Sequence, residues 1–164
     1  MEKLSAIHPL LPPSLGLLGL IVAALIADIV IKRIVVRVVR TIAKRSKVTW
    51  DDALIEHNVV GRIVQLVPAF IIFAGVVFVP DLPEYAAELI RNVAMAYVVL
   101  VATMALTALL GAANTVYSSL PIAKDRPLKG FVQLLQIVVW FVGGVLIVAT
   151  LVDRSPLILL SGFG

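Results

Sequence analysis

Apolar residues in this chain fall into four long stretches, separated by short segments that hold most of the charge. The first, residues 15–31, is interrupted only by Asp28, and its helical periodicity continues without a breaker through KRIVVRVVRTIAKRSK. One long helix is predicted, crossing a bilayer and then running along its surface. Thr49-Trp50-Asp51-Asp52 has the form of a helix start: threonine can cap, and acids in the first turn suit the positive end of the helix dipole. A short amphipathic helix is expected over residues 50–60. Residues 63–79 form the second apolar run, with a kink expected at Pro68 because proline removes one backbone hydrogen bond. Pro80-Asp81-Leu82-Pro83 closes it as a turn. Residues 92–123 carry no charge, which predicts a third crossing over residues 93–113 followed by a polar tail around 114–119. Residues 130–152 supply the fourth, ended by Asp153-Arg154-Ser155-Pro156. The last segment, residues 157–164, is too short to span about 30 Å at about 1.5 Å per helical residue, and is expected to begin a further helix.

Charge orients these segments. Residues 32–47 hold Lys32, Arg33, Arg37, Arg40, Lys44, Arg45 and Lys47 and no acid, which places that end in the cytoplasm by the positive-inside rule. The loop after the second run carries Asp81, Glu84 and Glu88 against Arg91 and is expected outside. Lys124, Arg126 and Lys129 against Asp125 mark a second cytoplasmic loop. The N-terminus is then outside, and the chain divides into an N-terminal segment (1–13), a first transmembrane helix with a basic cytoplasmic extension (14–47), an interfacial helix (48–62), a hairpin of the second and third transmembrane helices (63–119), a cytoplasmic loop (120–130), a fourth transmembrane helix (131–156) and the start of a fifth (157–164).

Composition agrees with this pattern. Of 164 residues, 61% are hydrophobic and 15% charged, against about 45–50% and about 25% in soluble domains. The expected fold is all-α, a multi-pass transmembrane helical protein. The first apolar run leads into a dense basic helix and lacks the layout of a cleavable signal, so the first crossing is expected to be retained. There is no cysteine, which removes disulfides, thiolate nucleophiles and Cys-ligated metals. A net charge of +4 does not point to nucleic acid here, because the bases gather between apolar runs instead of covering a polar surface.

Chemistry-bearing residues are few. No phosphate loop, nucleotide fingerprint, GxSxG or HExxH is present, so no enzyme activity and no cofactor is expected. His8 and His57 lie on opposite sides of the membrane in this topology. Asp52, Glu56 and His57 could be imagined around a metal, but neighbouring helical positions diverge by about 100°, and a solvated face of an interfacial helix is the simpler expectation. Asp28 is an acid inside an apolar run, a position that invites a proton or ion site. It also lies four residues before Lys32, the spacing of a helical ion pair, and the pair is the favoured reading. The basic run serves orientation and is also a candidate anchor to anionic lipid of the cytoplasmic leaflet. Gln65, Gln133 and Gln136 are candidates for interhelical hydrogen bonds; Gln133 and Gln136 suit headgroup contact equally well.

An internal match supports a hairpin organisation. RIVQLVPAFIIFAGVV, from Arg62, aligns with GFVQLLQIVVWFVGGV, from Gly130, at an offset of 68 with six identities, among them Gln65/Gln133 and Gly75/Gly143. Beyond this, VTWDDALIEHNVVGRIVQLVPAF, DRPLKGFVQLLQIVVWFVGGVLIVATLVDRSP and the closing LLSGFG together resemble the MscS-type (small-conductance) mechanosensitive channel superfamily. The likeness is to its larger, miniconductance-like bacterial members with extra N-terminal helices. It covers residues 48–164, and the first helix only by position. It implies a bacterial inner membrane, a homo-oligomer (a heptamer in that family), and a tension-sensing pair at residues 93–113 and 131–152. Ser161, Gly162, Phe163 and Gly164 would begin the pore helix. The Gly/Ala ridge and cytoplasmic vestibule of that family are absent from this sequence, so the likeness is to the sensing region of such a channel. A small carrier built on repeated hairpins, with Asp28, Gln65, Gln133 and a helix broken at Pro68 around a midplane site, and a non-conducting scaffold are the competing readings.

Overall fold

A computed structural model describes residues 11–43, 49–124, 127–153 and 155. Helix α1 spans Leu11–Ala43. Pro12 and Pro13 open it instead of belonging to the segment before it; proline suits the first helical turn, where a backbone N–H has no intrahelical acceptor. The 33 residues of α1 extend about 50 Å at about 1.5 Å per residue. The basic segment through Ala43 is thus the direct continuation of the crossing helix. It has no break at which it could turn to run along the membrane surface, as the periodicity alone suggested.

The expected interfacial helix is two helices, α2 (Thr49–Glu56) and α3 (Val59–Val64). They are separated by Asn58 at φ 51°, a left-handed conformation that Asn tolerates better than most side chains. Helix α4 (Leu66–Gly75) follows after a break at Gln65. The expected Pro68 kink is this break, placed one turn earlier. Pro68 has no N–H for the Val64 carbonyl, and its ring crowds that position, so the chain ends α3 there and restarts with Pro68 in the first turn of α4. A 3-10 turn over Val76–Phe78 and a left-handed Asp81, φ 55°, reverse the chain.

Helix α5 runs uninterrupted over Glu84–Ser118. Its 35 residues correspond to about 52 Å, well beyond about 30 Å of hydrocarbon. Glu84, Glu88 and Arg91 therefore lie on the opening turns of this helix and not in a loop, and the polar tail is helical as well. A 3-10 turn at Pro121–Lys124 leads to α6, Lys129–Leu151, whose C-terminal side is closed by Asp153 at φ 52°.

Helix α5 is the hub: α2, α3 and α4 pack along it, α6 has its extensive packing on α5 alone among the described elements, and α1 packs against α3 and α4. Neighbours run antiparallel. Gly16 of α1 meets Val79 and Pro80 beyond α4, and Leu20 meets Gly75. Helix ends that the charge pattern assigns to one side of the bilayer are accordingly together. Small residues make the packing close: Ala94, Val101, Ala108, Ala112 and Val116 form the buried face of α5, and Ala53 of α2 and Val59 of α3 join Ala108, Ala112 and Val116 in one buried cluster. Close helix approach through small side chains is what membrane helices use where burial of apolar area gives no advantage over lipid.

Candidate functional site

The outer surface of the bundle is apolar. On α6, Phe131, Leu134, Ile137 and Phe141 are exposed, while Gly143 and Ala149 are buried. On α1, Leu15, Leu18, Ile21, Leu25, Ile26 and Ile29 are exposed. Helix α6 packs on α5 in the most extensive helix pairing among the described elements. Gly143 sits against the Thr103 side chain, whose hydroxyl donates to the Val99 carbonyl at 2.8 Å. Thr107 donates likewise to the Thr103 carbonyl at 2.8 Å. Gln136 Nε2 donates across the seam to the Thr107 carbonyl at 3.2 Å. Gln133, three residues earlier, is exposed, and Gln65 is half-buried at the break before α4. The repeat positions Pro68 and Gln136 thus differ in role: one breaks its helix, the other continues it and bonds to a neighbour.

Asp28 and Lys32 form an ion pair of 2.6 Å, with Asp28 18% and Lys32 51% exposed. Its spacing is one helical turn, which holds the acid's charge beside a cation at the apolar boundary; as an exposed-type pair it adds little stability by itself. Arg33 and Arg37 lie further along α1 and are exposed; they border a groove of about 320 Å³ with Val30, Ile34 and Val38. Arg40 falls within α1. Lys44, Arg45 and Lys47, and Ser161, Gly162, Phe163 and Gly164, lie outside the described residues.

At the same end of the bundle His57 departs from its expected solvated setting. Asp52 and Glu56 are exposed, but His57 is half-buried: its Nε2 is 2.8 Å from the Thr115 hydroxyl, and its ring lies over Gly111. Turning inward removes it from Asp52 and Glu56, and among the described residues no three His, Asp or Glu side chains converge as a metal site. Sequence reasoning missed this contact because its partners are 58 positions apart. The available signal was the spacing of Gly111 and Thr115, a gap and a hydroxyl on one helical face. His57→Ala should destabilise the bundle by about 1–2 kcal/mol, the worth of a partly buried hydrogen bond and its packing. Gly111→Val should cost a similar amount, because an added Cβ falls 2.7 Å from His57 Nδ1. Denaturant titration in micelles should show the two changes to be strongly non-additive.

A second, larger groove of about 540 Å³ lies between α4 and α5, lined by Pro68, Ile72, Leu89, Val93 and Tyr97 among others. Near it Arg91 stands over the Phe73 ring, 5.0 Å from the centroid, a cation–π contact that ties the C-terminal part of α4 to the N-terminal part of α5.

Four helical spans, Pro13–Val35, Val59–Phe78, Glu84–Ser118 and Lys129–Leu151, are long and apolar enough to cross a membrane. With helices as the only regular elements among the described residues, the chain is an all-α, multi-pass transmembrane helical protein. No family model matches it, and no solved structure matches it.

Proposed function

We propose that this chain is the tension-sensing transmembrane region of an MscS-type mechanosensitive channel. It would act in a bacterial cytoplasmic membrane as a homo-oligomer, a heptamer on the family resemblance, and contribute to osmotic protection by gating a non-selective pore. The role is non-enzymatic. The observation that supports it best is the placement of α6: an apolar helix that packs extensively on α5 alone among the described elements and leaves most of its circumference exposed. A helix with one extensive packing partner and an otherwise exposed apolar surface can shift without breaking extensive contact with a second neighbour. If two arrangements differ in in-plane area, tension multiplied by that difference is a free energy that favours the wider one. The long α1 and α5 add surface that lipid must cover.

Patch recording under graded suction tests this, using liposomes that hold the 164-residue chain or the complete product of its natural reading frame. Stepwise currents that rise with tension in the complete product support the reading. Silence from both, with the protein inserted and oligomeric, overturns it and favours the carrier or the scaffold.

A further inference from the structure

We propose that the groove on α1 bordered by Arg33 and Arg37 is a specific binding site for one anionic phospholipid, its phosphate at the arginines and an acyl chain running from Ile34 back along Val30. This goes beyond the channel reading and stands without it, since it needs only a transmembrane α1 with its basic end at a bilayer surface. Two stripes at i, i+4 spacing run side by side here. Val30, Ile34 and Val38 form an apolar one; Arg33 and Arg37 form a cationic one; together they line a space of about 320 Å³. Guanidinium groups are suited to phosphate by their planar fork of donors, and an apolar stripe beside them fits a lipid tail but not a free inorganic anion.

The nearby charges separate this site from a diffuse basic surface. Lys32 is committed to Asp28 at 2.6 Å. Arg33 has no ion-pair partner among the described residues, whereas Arg37 also takes part in an interaction within the chain. Arg33 is the principal phosphate ligand and Arg37 its support. The position along α1 is also suitable: the first hydrophobic span ends at Val35, so the arginines flank the boundary where headgroup phosphates lie, and Val30 points the apolar stripe back into hydrocarbon.

The test uses the full chain with Trp50→Phe and Trp140→Phe, both positions being exposed, and a reporter indole introduced by Ile34→Trp, a 55% exposed position. Phosphatidylcholine vesicles receive equal mole fractions of either phosphatidylglycerol or phosphatidylcholine with brominated acyl chains, and quenching gives the relative association constant at the site. The expected preference for the anionic lipid is about fivefold, at about fivefold per available base. Arg33→Gln should lower it about fivefold. Lys32→Gln should leave it within about twofold, since that charge already has a partner. Equal quenching by the two lipids overturns the proposal. So does an equal loss from Lys32→Gln and Arg33→Gln, which is the signature of diffuse surface charge. Relief of quenching by millimolar inorganic phosphate also overturns it, because the anion alone would then be the ligand. These readouts need no conduction, so failure of the lipid site and failure of the channel reading are separate results.

Discussion

Replacing Gly143 with alanine should destabilise the α5–α6 pair by about 1–3 kcal/mol, and isoleucine should cost more. A Cβ at Gly143 would press on the Thr103 hydroxyl and lie 2.7 Å from its Cγ2 and 3.0 Å from its Cβ. Thr103 cannot step aside easily. It is buried at 7% exposure, β-branched and so stiff at χ1, and its hydroxyl is tied to the Val99 carbonyl at 2.8 Å. Gly75 occupies the matching place in the sequence repeat, and there the added Cβ meets the tip of Leu20, with Leu20 Cγ at 3.5 Å. A leucine terminus can rotate away, so Gly75→Ala should stay within about 1 kcal/mol. Thr103→Ala should return most of the loss in Gly143→Ala, with a coupling energy above about 1 kcal/mol in a double-mutant cycle. Unfolding in mixed micelles, followed by energy transfer between labels on α5 and α6, gives all four corners. Equal losses at Gly143 and Gly75 would show that the seam is not where these helices are held. On the proposed channel reading, Gly143→Ala should also move the tension at which the pore opens, because the α5–α6 contact is the one proposed to shift.

The second large effect concerns orientation. Changing Lys32, Arg33, Arg37, Arg40, Lys44, Arg45 and Lys47 together to glutamine removes every base on which the charge pattern assigns the C-terminal end of α1 to the cytoplasm. The later loop with Lys124, Arg126 and Lys129 remains, so α4 to α6 keep their direction. Helix α1 alone is then free to insert the other way. Its antiparallel contacts, Gly16 on Val79 and Leu20 on Gly75, would be lost in the inverted molecules. The outside-exposed fraction of N-termini should fall from nearly all to about half or less. The chain has no cysteine, so Ser5→Cys provides a single reporter for a membrane-impermeant maleimide applied to intact cells. Unchanged labelling in the glutamine variant would show that packing against α4, and not charge, sets the direction of α1.

Parts of this architecture that depend on near neighbours along the chain were legible in advance. Four apolar stretches of 17 residues or more read as crossings because the bilayer demands about that length whatever surrounds them. The Asp28–Lys32 pair was legible because its partners share one helical face. The interruption at Pro68 was legible because a missing N–H and a ring clash act within one turn, although the turn that yields is the preceding one, at Gln65. The acidic stretch from Glu84 was misread as loop because its charges look like a boundary. Tertiary packing extends α5 through it, and exposed helical turns carry charge without difficulty.

What the sequence by itself determined is the set of crossings and the side of the membrane to which each charged segment is suited, since length and charge act locally against a uniform solvent. What only the tertiary structure decided is which residues at those crossings matter. Gly143 and Gly75 are matched in sequence, yet one faces the stiff, buried Thr103 and the other a movable Leu20. His57, Asp52 and Glu56 lie on one short stretch, yet His57 alone turns to Gly111 and Thr115. Each of these outcomes rests on contacts between segments far apart in the chain, and those contacts exist only once the helices have chosen their neighbours.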